Sequence, residues 1–314
     1  MNQSLTLDLQ LNVDVSRRDP GELAYHWIDD VSQLLAGDAR QQLAHLPGEV
    51  QQSARPFGPL GDAGSVFGVV DTWRKTERGI DTTEMNCSTL GLQWLRSELD
   101  DLPYETHLWI GNLDEHGHRS GRIANLSVRH VETTPNWLRL HAFVDESVFL
   151  DRLSGPQAQR QYLDALWSFA NQTDPGFGHV AYWYSDGVTA LEDALPRRTY
   201  PRQHSGPDFT VNECRQWLRG YSWLTIVPQD LADQVGGADG LSRSGAFVEV
   251  RPMDAGGVWL LATHDYRDYS DEAVERVWRT LAPILRQGLP EVHPPRFPGT
   301  PPHRIVARDA VEIM

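Results

Sequence analysis

The order of strand and helix patterns is the feature that most restricts the fold of this 314-residue chain. Leucine and valine alternate with polar residues from Leu5 to Val15, which predicts a half-buried strand. Asp19 and Pro20 then predict a helix start, because aspartate caps helices and proline suits their first turn. Later strands and helices are interspersed without the regular alternation of a parallel sheet. The chain is therefore predicted to be α+β, with mixed, mainly antiparallel sheets and packed helices.

A loop-like stretch across residues 186–210, punctuated by prolines, predicts the division of the chain. It separates an N-terminal α+β half (1–185) from a C-terminal α+β half with a Pro-rich tail (186–314). The order of elements allows two similar halves, and a single compact domain is the alternative. Helices are predicted at 84–100 and 156–171 and after a Ser270 cap, and strands at 66–73, 104–112, 122–131, 137–144, 178–185, 222–227, 248–251 and 258–263.

Charge excludes several classes of partner. Lys and Arg number 28 against 43 Asp and Glu, a net charge of −15. A field of that sign repels nucleic-acid phosphates and anionic lipid, and it attracts basic partners. No apolar run reaches the length of a membrane span, and the N-terminus lacks the pattern of a signal peptide. We therefore expect a cytoplasmic protein that binds neither nucleic acid nor membrane, as a monomer or a homodimer.

No metal or cofactor is predicted. Cys87 and Cys214 are the only cysteines, and neither belongs to a CxxC pair. His116 and His118, which flank Gly117, are the weak candidates for a metal site. Their spacing falls on a glycine-rich hairpin loop, so a solvated turn is the favoured interpretation.

Linear catalytic motifs are absent from the sequence. Ser222 lacks the second glycine of a nucleophile elbow, and no phosphate-binding loop follows a predicted strand. A catalytic site would have to be assembled from separate loops at strand ends, where side chains stand exposed on a rigid frame. The candidate catalytic residues on that basis are His179, Asp186, His264 and Asp265.

Aromatic residues are abundant, with 11 tryptophans in the chain. Most of them fall on predicted strands, where core packing accounts for them. The alternative is a cleft or partner surface lined by some of them, since aromatic side chains anchor many interfaces. Trp183, Tyr184 and Tyr266 are the predicted binding residues.

A series of short motifs in the last third of the chain resembles a known family. The motifs are Arg219-Gly-Tyr-Ser-Trp-Leu-Thr-Ile-Val-Pro228, Gly236-Gly237, Ser244-Gly-Ala-Phe247, Gly256-Gly-Val-Trp-Leu-Leu-Ala-Thr263 and Leu281-Ala-Pro-Ile-Leu285. In this order and spacing they resemble the bacterial type VI immunity protein family over residues 176–290. The resemblance implies an immunity role in type VI secretion, and it implies no catalytic residues. The motifs are typical of strand, turn and cap elements that build a fold.

Two functional hypotheses follow. The first is a cytoplasmic immunity-type protein that neutralises a cognate toxin by direct binding, with a basic effector as partner because the chain is acidic. The second is an enzyme acting on a small molecule or peptide through a histidine and carboxylate site assembled from strand-end loops. The missing linear motifs favour the first, but they leave the enzyme hypothesis open.

Overall fold

The computed structural model describes residues 5–50, 58–131, 133–184, 187–196, 207–292, 294, 297 and 299–313. These residues form two units. One, the inserted unit, lies within residues 15–144, and the other, the terminal unit, is formed by the chain before and after it. Within the described residues, no helix combines the length and apolar character needed to cross a membrane.

The inserted unit is an antiparallel sheet covered by helices. Its strands follow the order β3-β2-β4-β5-β6, and every neighbouring pair is antiparallel. Its elements are α1 (Pro20–Leu43), β2 (Val66–Thr76), β3 (Gly79–Asn86), α2 (Thr89–Glu98), β4 (Glu105–Leu113), β5 (Arg119–His130) and β6 (Trp137–Asp145).

Helix α1 begins where the sequence predicts it. The Asp19 carboxylate accepts a hydrogen bond from the Glu22 backbone N–H at 2.9 Å, and Pro20 occupies the first turn. Trp27, on the buried face of the helix, is fully buried, and its indole N–H donates to the His141 carbonyl of β6 at 3.3 Å. The cap fixes the start of the helix, and the apolar face holds it on the sheet.

Strand β3 is an element that the sequence patterns do not predict. It is an outer strand, and its residues from Gly79 to Glu84 are exposed. Alternation of apolar and polar residues arises only where one face of a strand is buried, so a strand exposed on both faces shows none. The predicted helix at 84–100 was therefore too long, and α2 begins only after the Ser88 cap.

The terminal unit contains five antiparallel strands in the order β1-β7-β8-β10-β9. The N-terminal strand β1 thus belongs with strands from the second half of the chain. Its elements are β1 (Thr6–Asp14), α3 (Glu146–Leu150), α4 (Gly155–Thr173), β7 (Pro175–Tyr182), α5 (Ala190–Ala194), α6 (Pro207–Asn212), β8 (Leu224–Val227), α7 (Gln229–Ala232), α8 (Gly237–Arg243), β9 (Glu249–Pro252), β10 (Val258–Leu261) and α9 (Asp271–Leu281).

Strand β1 is buried on both faces, and the prediction of a half-buried strand was wrong. The apolar face is buried as expected, but Asp8, Gln10 and Asn12 are also at most 1% exposed. The Arg219 guanidinium lies against this polar face and donates to Gln10 Oε1 at 2.7 Å and to Asn12 Oδ1 at 2.6 Å. Polar side chains tolerate such burial because their hydrogen bonds are satisfied inside the protein.

The predicted α+β class is confirmed. Both units consist of antiparallel sheets with packed helices, as the α+β class requires. Within β5 and β6, His130 pairs with Leu138, so His130 and His141 lie on opposite faces. The division of the chain at residues 185 and 186 stays a prediction, because the packing of a unit does not test whether it folds alone.

Candidate functional site

An open groove of about 370 Å³ in the terminal unit is the first candidate site. It runs between helix α4 and the strands β9 and β10, of which β9 is the outer one, and we call it the tryptophan groove. Trp167 comes from the helix, and Trp259, Arg251 and Glu249 come from the two strands. Trp259 and Arg251 lie side by side because they are direct partners in the pairing of β10 with β9. The side chains of such a pair lie next to each other on one face of the sheet.

Aromatic and cationic groups form the floor of the tryptophan groove. The rings of Trp167 and Trp259 meet edge to face with centroids 5.5 Å apart. The Arg251 guanidinium lies 3.6 Å from the centroid of Trp167, and one of its nitrogens is 3.2 Å from Glu249 Oε1. Tryptophan and arginine are the side chains that most often carry binding energy at protein interfaces. The groove therefore has the composition of a protein-binding site.

Charges of both signs line the tryptophan groove. Asp164 and Glu249 stand beside Arg160 and Arg251, and His264 completes the lining. Such a mixture suits a partner that presents alternating charged and apolar side chains.

The two histidines among the catalytic candidates lie on opposite faces of the terminal sheet. His179 lies on β7, where it pairs with Gln10 of β1 on one side and with Thr225 of β8 on the other. Its side chain is only 2% exposed. His264 is exposed and lines the tryptophan groove, whose strand residues lie on the opposite face. The structure does not bring these two histidines into one site, and Asp186 lies outside the described residues.

Asp265 has a local structural role. Its carboxylate caps the short 3₁₀ turn Tyr266–Asp268 by accepting from the Arg267 backbone N–H at 2.8 Å. It also pairs with the Arg267 guanidinium at 2.5 Å and accepts from Gln159 at 3.1 Å. The bonds from Arg267 lower the pKa of Asp265 to about 2. Its partners are Arg267 and Gln159, not His264.

The predicted binding residues separate into two environments. Trp183 is 44% exposed, whereas Tyr184 and Tyr266 are buried and line one cavity together. That cavity, which we call the tyrosine cavity, is the second candidate site.

His116 and His118 lie at the exposed tip of the β4–β5 hairpin. Both backbone N–H groups donate to the Asp114 carboxylate at 2.8 Å, which is a tight polar turn. The hydrogen bonds from His118 and His116 lower the pKa of Asp114. In the described part of the chain, no group of three or more potential metal ligands is arranged to hold an ion.

Five tyrosines surround the tyrosine cavity. Its lining residues are Val180, Ala181, Tyr182, Tyr184, Ala190, Tyr221, Ser222, Trp223, Tyr266, Tyr269 and Arg304. The cavity leaves a volume of about 20 Å³ for the centre of a water-sized group. One water needs roughly 10–15 Å³, so the cavity has room for one water.

The C-terminal arm, residues 299–309, contributes to the walls of the tyrosine cavity. The Tyr184 hydroxyl donates to the Pro302 carbonyl at 2.8 Å, and the Val306 N–H donates to the Tyr221 hydroxyl at 2.7 Å. Arg304 donates to the Tyr269 carbonyl, and its guanidinium lies 5.0 Å from the Tyr269 ring centroid. The arm therefore completes the cavity.

The hydroxyl groups of the cavity differ in their partners. Tyr182 donates to Glu146 Oε1 at 2.5 Å, and Tyr266 lies 3.4 Å from the same oxygen. The Tyr269 hydroxyl is buried and has no hydrogen-bond partner among the described residues. Leaving a buried hydroxyl unsatisfied costs about 1–3 kcal/mol.

Burial keeps these tyrosines protonated. It raises the pKa of Tyr266 to about 12 and the pKa of Tyr269 well above its usual value. Burial likewise raises the pKa of Tyr221. Each of these groups is therefore a neutral O–H donor at physiological pH.

Sequence patterns do not identify the residues that define the tyrosine cavity. Tyr221 lies in a motif that resembles fold-building elements, Tyr269 precedes a helix cap, and Arg304 lies in the Pro-rich tail. Only the predicted binding residues Tyr184 and Tyr266 mark the neighbourhood. Tertiary packing brings these distant positions together.

A charged cluster in the inserted unit is also absent from the sequence predictions. His107 Nδ1 lies 3.1 Å from Asp71, its Nε2 lies 3.0 Å from Glu105, and its ring meets Trp73 edge to face. Burial lowers the pKa of His107, but the bonds to Asp71 and Glu105 outweigh that effect and raise it to about 9. A histidine held protonated by two carboxylates is a structural cation and a poor general base.

Comparisons with known proteins relate the chain to a fold. No protein-family model matches it, and no curated protein matches its sequence. Among solved structures, the Pseudomonas aeruginosa T6SS protein PA0821 is similar with a TM-score of 0.50. The likeness covers 93% of this chain and 77% of that protein at 12% sequence identity. At that identity, the likeness shows a common fold.

Proposed function

We propose that the protein is a cytoplasmic, immunity-type binding protein that neutralises a cognate toxin of a type VI secretion system by direct contact. The observation that carries the proposal is the tryptophan groove, an open surface in which the exposed Arg251 and the half-buried Trp167 pack on the buried Trp259. Protein interfaces concentrate their binding energy on such tryptophan and arginine anchors. A toxin loop with apolar and charged side chains is the occupant that this groove fits.

Charge and fold support the same proposal. The net charge of −15 would accelerate association with a basic effector. The fold is shared with a T6SS protein of Pseudomonas aeruginosa, and the motifs in residues 176–290 resemble type VI immunity proteins. Neither line of support identifies the toxin.

The test is to titrate the purified chain with the toxin encoded beside its gene, and to measure the dissociation constant by calorimetry. We expect a nanomolar complex whose association rate falls as salt rises, because screening weakens steering. Co-expression should also protect cells from the toxin. If the neighbouring toxins neither bind nor are neutralised, the immunity proposal is wrong.

Groove variants locate the interface. Removing an anchor by Arg251→Ala or Trp167→Ala should cost about 2 kcal/mol, which is roughly a thirtyfold weaker complex. The matched controls are Arg279→Ala and Trp217→Ala, exposed positions of the same unit that do not line the groove. Equal losses in groove and control variants would place the interface elsewhere while leaving the immunity role intact.

A further inference from the structure

Two arginines of the C-terminal arm rest on aromatic rings of the terminal unit. The Arg304 guanidinium lies 5.0 Å from the ring centroid of Tyr269 and 5.7 Å from that of Tyr266. The Arg308 guanidinium lies 4.3 Å from the ring centroid of Trp278. A guanidinium within about 6 Å of a ring centroid is attracted to the face of the ring. The arm therefore places two cations, four residues apart, on two aromatic sites.

Oxygen acceptors complete the contacts of the arm. The Arg304 guanidinium donates to a backbone carbonyl of the unit, and Arg308 forms an ion pair with Glu275. A third basic residue, His303, lies with its Nε2 2.7 Å from an Asp193 carboxylate oxygen. Ring faces beside carboxylates favour basic side chains. We call this surface the arm-binding surface, and it consists of Asp193, Tyr266, Tyr269, Glu275 and Trp278.

The arm is attached to the unit through few backbone groups. Residues 299–309 form neither a helix nor a strand. The Pro302 carbonyl and the Val306 N–H bond to the unit, and both bond to tyrosine hydroxyls. A segment without a backbone ladder opens locally at a low free-energy cost. Opening of the arm would uncover aromatic rings and carboxylates together.

We propose that the arm-binding surface binds an extended basic segment of a partner protein, and that the C-terminal arm occupies this surface in the absence of the partner. The partner segment carries two basic residues four positions apart, as Arg304 and Arg308 are. The net charge of −15 attracts such a segment. The arm-binding surface shares no residue with the tryptophan groove, and the proposal does not depend on toxin binding.

The arm and the partner segment compete for one surface. Because the arm is tethered beside that surface, its effective concentration is on the order of millimolar. The parent protein should therefore bind a free basic peptide weakly, whereas a protein with a loosened arm should bind it more tightly. The double variant Arg304→Gln/Arg308→Gln removes both cations from the arm and leaves the arm-binding surface unchanged.

The probe is a fluorescein-labelled peptide with the sequence of residues 299–309, and fluorescence anisotropy with the full-length protein gives its dissociation constant. We expect the double variant to bind this peptide about tenfold more tightly than the parent protein does, since two cation–ring contacts no longer hold the arm. Hydrogen exchange of the arm, followed by mass spectrometry, should be faster in the double variant. An arm that exchanges equally slowly in both proteins would contradict the proposed role of the arginines.

Two controls test the chemistry of the arm-binding surface. A peptide with glutamine in place of both arginines should bind the double variant about tenfold more weakly. Added to the double variant, Glu275→Gln should also weaken binding of the arginine peptide. Glu272→Gln should leave it within about twofold, because Glu272 lies on the same helix but bonds to Ser270.

Circular dichroism checks that each variant is folded. If the double variant does not fold, Arg308→Gln alone replaces it, because the Arg308 side chain is 41% exposed. The proposal is wrong if the arginine peptide does not bind a protein whose arm exchanges rapidly. It is also wrong if the arginine and glutamine peptides bind equally well.

Discussion

Two polar clusters of the terminal unit are both buried, yet they differ in how completely their hydrogen bonds are satisfied. The Arg219 guanidinium is 1% exposed and pairs with Glu192 at 2.8 Å. Its other donors go to Gln10, Asn12 and the Gly187 carbonyl. In the tyrosine cavity, by contrast, the Tyr269 hydroxyl has no partner among the described residues.

The difference separates a network that stabilises the fold from a buried group that does not. A fully bonded network rigidifies the fold, and any foreign ligand would have to displace existing bonds. An unsatisfied donor destabilises the free protein and is compensated when a ligand accepts its hydrogen bond. We therefore assign the Arg219 network to fold stability, and we expect the unsatisfied Tyr269 hydroxyl to lower it.

The largest effect is expected at Arg219. Arg219→Leu leaves the Glu192 carboxylate buried without its cation, and breaking a buried pair in this way costs about 3–5 kcal/mol. Urea denaturation would measure the loss in the free energy of unfolding. The control Arg279→Ala removes an exposed pair with Glu275 along helix α9 and should cost no more than about 0.5 kcal/mol. Similar losses at both positions would contradict the structural assignment.

The His107 cluster of the inserted unit predicts that the stability of the protein depends on pH. The folded-state pKa of His107 is raised to about 9, above the roughly 6.5 of an unfolded chain. Its stabilising contribution is therefore complete below pH 6.5 and is lost as the pH rises through 9. The contribution is on the order of 2 kcal/mol.

Urea denaturation between pH 6 and pH 10 tests the His107 prediction. The difference in the free energy of unfolding between the parent protein and His107→Gln should shrink as the pH rises. Taking the difference removes the ionisation of Cys87 and other groups common to both proteins. A difference that stays constant over this range would rule out the protonated histidine.

The smallest expected change in stability concerns two tyrosines that line the tyrosine cavity. Without a ligand, Tyr269→Phe removes an unsatisfied hydroxyl and should stabilise the protein by about 1 kcal/mol. Tyr221→Phe removes the acceptor of the Val306 N–H and should destabilise it by a similar amount. Thermal melts of the two variants beside the parent protein measure the opposite signs. Destabilisation by Tyr269→Phe would show that its hydroxyl is already satisfied in the free protein.

Local patterns predicted much of the secondary structure. The Asp19 cap and Pro20 marked the start of α1, and the strand patterns at 122–131 and 137–144 predicted β5 and β6. These features depend on neighbours in sequence or on one buried face. Strand β3 escaped prediction because its exposed residues carry no alternation.

Residue chemistry predicted less about the sites. Tyr184 and Tyr266 were selected as binding residues because aromatic side chains anchor many interfaces, and both line the tyrosine cavity. His179 was selected because it lies near a strand end, but it is buried beside Gln10 and Thr225. A position near a strand end does not specify the face on which a side chain lies or what covers it.

By itself, the sequence determined the α+β class, the acidic charge and the absence of linear catalytic motifs, since each depends on composition or short-range pattern. Tertiary structure alone decided that the polar face of β1 is buried and that Arg219 satisfies it. It also decided that Arg304 of the C-terminal arm meets Tyr269. The physical reason is that hydrogen-bond satisfaction depends on groups far apart in the chain, whose meeting is set by packing.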